Sequence, residues 1–155
     1  MKIRHTGALA LLVTAFILAC QQQHPVADDH EFIDSLKTMV NLLKPGLGEQ
    51  MLQIKYHHDE LGKAVASNDF ERAAYEIDEI KETTDRIKQL HITNDKLQKP
   101  FAFFYEKYLE APLTILADAA SKKDGSVLKT NYIGLTNNCN SCHHENNMSF
   151  MKIGQ

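Results

Sequence analysis

Cysteine is scarce in this chain, and its placement excludes more than any other feature. The 155 residues contain Cys20, Cys139 and Cys142 and no fourth thiol. That rules out a disulfide framework and leaves no second cysteine pair to complete a four-ligand structural zinc site. Internal repeats, low-complexity tracts and strand patterns are also missing. The formal charge is −3, with 20 acidic against 17 basic residues, a balance that argues against nucleic acid as a partner.

The one long apolar run lies at the start. Lys2 and Arg4 precede Ala8 to Ala19, a stretch broken only by Thr14 and too short to span a bilayer as a mature helix. It ends in Ile17-Leu18-Ala19-Cys20, which resembles a bacterial lipobox. The resemblance implies a signal peptide over 1–19, cleavage before Cys20 and lipidation of that thiol. Leu18 is large for its position, so an ordinary secretory cleavage is the alternative. Residues 20–29 are polar, contain Pro25 and read as a flexible tether. A mature chain of 136 residues fits one domain, over 30–155. Losing Lys2 and Arg4 moves its formal charge from −3 to −5, which suits neutral or basic patches on a docking partner.

Every later segment reads as helix. Phe32, Ile33, Leu36, Met39, Val40 and Leu43 follow the helical period up to Pro45-Gly46, predicting a short leading helix. Leu47, Met51, Ile54, His58, Leu61 and Val65 then stand at offsets 0, 4, 7, 11, 14 and 18, one face of a helix ending near Ser67-Asn68. Asp69 is placed to cap a third run carrying Phe70, Ala73, Ala74, Ile77, Ile80, Thr84 and Ile87. A fourth is expected after Thr93-Asn94, with Leu97, Phe101, Phe104, Tyr108, Leu109, Leu113 and Leu116, broken by Pro112 near Glu110 to Ala111. The last carries Leu128, Tyr132, Leu135, Cys139 and Cys142 on one face. Short connections between long helices predict an all-α, antiparallel four-helix bundle with a short extra N-terminal helix.

Cys139-Asn140-Ser141-Cys142-His143 is the C-x-x-C-H pattern that attaches a c-type haem. Two thiols three residues apart share one side of a helical turn, where each can add to a porphyrin vinyl group. His143 is then the axial ligand, bound through one ring nitrogen while the other donates to a carbonyl or water. A redox dithiol is the rival reading, but no strand precedes the motif to put it at a helix N-terminus. Half of a zinc site is the other, and it lacks partners. One covalent haem c uses both motif cysteines, and export through the leader places the chain where such attachment occurs.

A helical bundle with C-x-x-C-H near the C-terminus resembles the cytochrome c-prime family and its low-spin four-helix-bundle relatives. The resemblance covers roughly residues 46–146 and includes the run Leu135 to His143. It implies an exported haem protein with His143 as proximal ligand, and it leaves room for a homodimer. It further implies a distal residue in the early turns of the first bundle helix, where low-spin members carry methionine; Met51 matches that position. Met51 as plain core packing is the alternative. His58, two turns on and roughly 10 Å along the axis, is read as a haem-edge contact or as the alternative ligand. Two departures stand out: His143 is followed by His144-Glu145-Asn146-Asn147 with no basic residue before Lys152, and the leading helix has no counterpart.

The remaining histidines carry no expected role; His57 is read as solvated and His144 as facing away from the distal side. The tail Met148 to Ile153 alternates apolar and polar residues and has no assigned place. The function expected is a lipid-tethered, periplasmic or outer-membrane electron carrier that meets redox partner proteins. The alternatives are a five-coordinate binder of NO or CO and an accessory haem subunit of a redox complex. No enzymatic activity is expected, since His58 alone supplies no acid–base pair.

Overall fold

The computed structural model describes residues 29–154, and all regular structure among them is helical. The expected leader, Cys20 and the expected tether up to residue 28 lie outside the described residues. The chain divides after Leu43 into two compact units.

Helix α1 (Asp29–Leu43) belongs to the first unit. It begins at Asp29, one residue inside the expected tether, with Asp29 and Glu31 in its first turn where the helix dipole favours acids. It stops before Pro45, as the sequence requires. None of its residues is buried, its apolar stripe included.

The second unit, from Lys44 onward, contains α2 (Leu47–Ser67), α3 (Phe70–Gln89), α4 (Phe101–Tyr108), α5 (Glu110–Ser121) and α6 (Gly125–Glu145). Helix α2 packs on α3 and α6, and α5 packs on the same two, so the long helices close into an all-α bundle. Leu61, Ile77, Ile80, Ile87, Phe104, Leu113, Leu116, Leu128 and Leu135 fill the core. Each such side chain contributes about 1.5–3 kcal/mol on burial.

Local chemistry sets the ends. The Asp69 carboxylate accepts from Arg72 N at 3.0 Å, and Asp124 accepts from Ser126 N and Val127 N, capping α3 and α6. Four helices end through a left-handed residue that is not glycine: Asn68, His91, Lys123 and Asn147, with φ of 55°, 47°, 56° and 59°. At each, the next backbone N–H reaches back to a carbonyl of the last turn, as in Asp69 N to Ala64 O and Met148 N to His143 O.

The fourth run differs from expectation at its start. Helix α4 begins at Phe101, and Leu97 stands in the preceding loop, half-buried against the core. Pro100 explains this, because it disfavours helical backbone at the residue before it. The expected break is present one residue early, at Leu109, between α4 and α5. Pro112 has no N–H for the Tyr108 carbonyl, and the Asn138 amide of α6 donates to that carbonyl at 2.9 Å instead.

Candidate functional site

Cys139, Cys142 and His143 occupy the last two turns of α6, a helix of 21 residues. Leu128 and Leu135 on the same stripe are fully buried, and Cys139 packs against the core they belong to. Both motif cysteines are free and half-buried. Burial pushes the Cys139 thiol up to about 12 and the Cys142 thiol up to about 11. A thioredoxin-type dithiol needs the opposite, a thiol pKa lowered at a helix N-terminus. These two thiols are protonated, neutral and at a C-terminus.

Asn146, buried just past the helix end, ties this region together. Its Nδ2 donates to the Cys142 carbonyl at 2.9 Å and lies 3.8 Å from Cys142 Sγ. Its Oδ1 accepts from Gln98 N at 2.9 Å, joining the loop before α4 to the motif. On the flank, the Glu145 carboxylate accepts from Lys107 Nζ at 2.6 Å and from the Tyr108 hydroxyl at 2.5 Å. Those two bonds hold its pKa below the usual carboxylate range.

His143 is half-buried, and its Nδ1–H donates to the Met151 carbonyl at 2.7 Å. That bond fixes the tautomer and leaves Nε2 as the nitrogen with a free lone pair. The tail with no assigned place in the sequence supplies the acceptor. It turns after Asn147 and runs back beside α6, where Asn140 exchanges two bonds with Ile153. Ile153 N donates to Asn140 Oδ1 at 2.9 Å, and Asn140 Nδ2 donates to the Ile153 carbonyl at 3.2 Å.

His58 is fully buried against α6. Its Nε2 is 2.8 Å from Thr136 Oγ1, and Thr136 Oγ1 donates to the Tyr132 carbonyl at 3.0 Å. Both bonds are satisfied only when His58 carries its proton on Nε2. Its ring also stacks on Tyr132, with centroids 4.8 Å apart. Burial lowers its pKa below 6.5. On the other side of the same ring system, Gly62 leaves room for the Tyr132 hydroxyl, which a Cβ would overlap.

The pairs His58–Thr136 and Gly62–Tyr132 fix the antiparallel register of α2 and α6. Counted on by seven residues along each helix, that register pairs position 51 with position 143. Met51 is half-buried against the core. Next to it, Gln50 is buried with its Oε1 unpartnered, an unfilled polar demand at the same end of the bundle. His58 stands two turns away from that level.

His57 differs from its solvated expectation. Its Nδ1 lies 2.8 Å from Glu76 Oε2, and the Glu76 side chain is 2 % exposed. Arg72 reaches Glu76 at 3.3 Å and Glu60 at 2.8 Å, so an ion network joins α2 to α3. His144 lines an open hollow with Tyr108, Asn137, Asn140, Ser141 and Glu145.

No protein-family model, curated protein or solved structure matches this chain. Among the described residues, no three His, Cys, Asp or Glu side chains gather into a metal-holding group. The donor set at the end of α6 fits a covalent haem: two unpaired neutral thiols on adjacent turns, and one imidazole with its second nitrogen already engaged. Sequence reasoning singled out these three residues but not Asn140, Asn146 or the Met151 carbonyl, which the structure places around them. The density of asparagine around the motif, at positions 137, 138, 140, 146 and 147, was the available signal.

Proposed function

We propose that this chain is a c-type cytochrome that carries one electron through a single covalent haem c held by Cys139, Cys142 and His143. The observation that carries the reading is the pairing of two free thiols, on adjacent turns of α6, with an imidazole whose Nδ1–H is committed to the Met151 carbonyl. When bound, the haem supplies the reversible one-electron chemistry of its iron. The protein's part is to hold the thiols, fix the ligand tautomer and provide a low-dielectric bundle interior.

On the side facing away from His143, Met51 would be the residue that holds the iron. The α2–α6 register supports it over His58, whose Nε2 is occupied by Thr136. A thioether ligand there would favour reduced iron, which suits electron transfer. The architecture and the position of the motif agree with kinship to the cytochrome c-prime family and its low-spin relatives. The lipobox-like Cys20 adds a membrane tether on the outer side of a bacterial membrane, with redox proteins as partners.

Expression with a haem-attachment system tests the reading. The expected product gains the mass of one haem, retains it in denaturant, and shows a low-spin ferric spectrum that carbon monoxide leaves unchanged on reduction. A haem-free product overturns the proposal. A high-spin product that binds carbon monoxide keeps the haem but replaces the carrier with an open-site ligand binder.

A further inference from the structure

The C-terminal segment is built onto α6 rather than left loose. Asn147 in the left-handed region ends the helix, and Met148 N donates to the His143 carbonyl at 2.7 Å. A turn closed by Met151 N to Met148 O at 2.9 Å then reverses the chain. Ile153 meets Asn140 through two backbone bonds, so the Asn140 side chain acts as a short stretch of partner backbone. Beyond it, Gly154 has φ of 77°, and a Cβ there would stand 2.8 Å from the Thr136 methyl. Both the backbone angle and the close approach require glycine. The segment therefore touches α6 at three successive levels, His143, Asn140 and Thr136.

The Met151 carbonyl lies between two of these anchors. Its position against His143 Nδ1 is set from one side by the helix-ending turn and from the other by the Asn140 clasp. We infer that Asn140, a spacer of the C-x-x-C-H motif, is a positioning residue that clamps the 148–154 segment to α6 and so delivers the Met151 carbonyl to His143. The inference rests on the haem reading above and adds what tunes the ligand. A carbonyl accepting from Nδ1–H makes the imidazole a stronger donor through Nε2 and favours oxidised iron, which lowers the potential. Loosening the clasp removes that bias and raises it.

Two variants of the full-length holoprotein reach the clasp from opposite sides. Asn140→Ala removes the side chain, and Ile153→Pro removes the backbone donor without touching α6 or the motif. Each is expected to bind one covalent haem, to show a midpoint potential shifted positive of wild type, and to exchange the Met151 amide about tenfold faster. The double variant is expected to shift no further than either single one, since both break the same contact. If Asn140→Ala fails to load haem, Ile153→Pro carries the test alone. Wild-type potentials in the loaded variants overturn the positioning role and leave the haem reading standing. A wild-type protein without covalent haem overturns both, and that outcome is distinct from the first.

Discussion

The Asn138 side-chain amide donates at 2.9 Å to the carbonyl of Tyr108, the acceptor that Pro112 leaves without a helical donor. One proline thus breaks the fourth helical run into α4 and α5, and the helix bearing the thiol pair supplies the missing bond. Asn138→Ala is expected to destabilise the bundle by about 1–2 kcal/mol, the cost of a half-buried unsatisfied carbonyl. In a Pro112→Ala background, where position 112 regains its N–H, the same change should cost clearly less. Denaturant unfolding of the four chains measures the difference; equal costs in both backgrounds would refute the compensation.

Met51 and His58 make opposite forecasts. Met51→Ala in the haem-loaded protein is expected to convert a low-spin ferric spectrum to high-spin and to open the iron to carbon monoxide. His58→Gln should leave the spectrum low-spin. A Met51→Ala protein that stays low-spin removes Met51 from the iron.

Burial lowers the His58 pKa from its ordinary 6.5, with the neighbouring Asp59 carboxylate offsetting part of the shift. As pH falls, the unfolded chain takes up this proton before the folded one does, so protonation favours unfolding. The penalty is absent well above the unfolded value and grows as pH drops below it towards the folded one. The Tm is therefore expected to fall between about pH 7 and about pH 5.5, and to fall less in His58→Gln. Parallel declines in the two proteins would show that His58 contributes nothing to acid sensitivity.

Glu76 is the most buried charge of the network between α2 and α3. Removing it with Glu76→Ala leaves His57 and Arg72 without their shared acceptor. The expected loss is about 2–3 kcal/mol, below the full cost of a broken buried pair because Arg72 can regain water. A double-mutant cycle with His57→Ala should give a coupling near about 1 kcal/mol, and additive losses would mean that the 2.8 Å contact carries no energy.

Much of the fold was readable because its signals are local. Pro45, Asp69 and Pro112 act on the turn in which they stand, and the helical period identifies the buried face from spacing alone. The start of α4 was misplaced for an equally local reason, since Pro100 outweighs the apolar pattern carried by Leu97. His57 was beyond reach in a different way. Its spacing puts it off the main stripe, and only the approach of α3 brings Glu76 to it. At the site, the thiols and His143 were legible because their chemistry demands those residue types. The acceptor for His143 Nδ1 was not, because every residue offers a carbonyl and side-chain identity does not mark the one used.

The four left-handed helix ends bear on how much stability this architecture leaves unused. Asn68 and Asn147 tolerate the conformation comparatively well, but His91 and Lys123 pay a Cβ penalty of roughly 1–2 kcal/mol each. Glycine at either of those exposed positions would relieve the strain while giving back part of the gain as freedom in the unfolded chain. The bundle thus holds a small reserve, at two surface sites well separated in sequence from Cys139, Cys142 and His143, that engineering could draw on without altering the chemistry of α6.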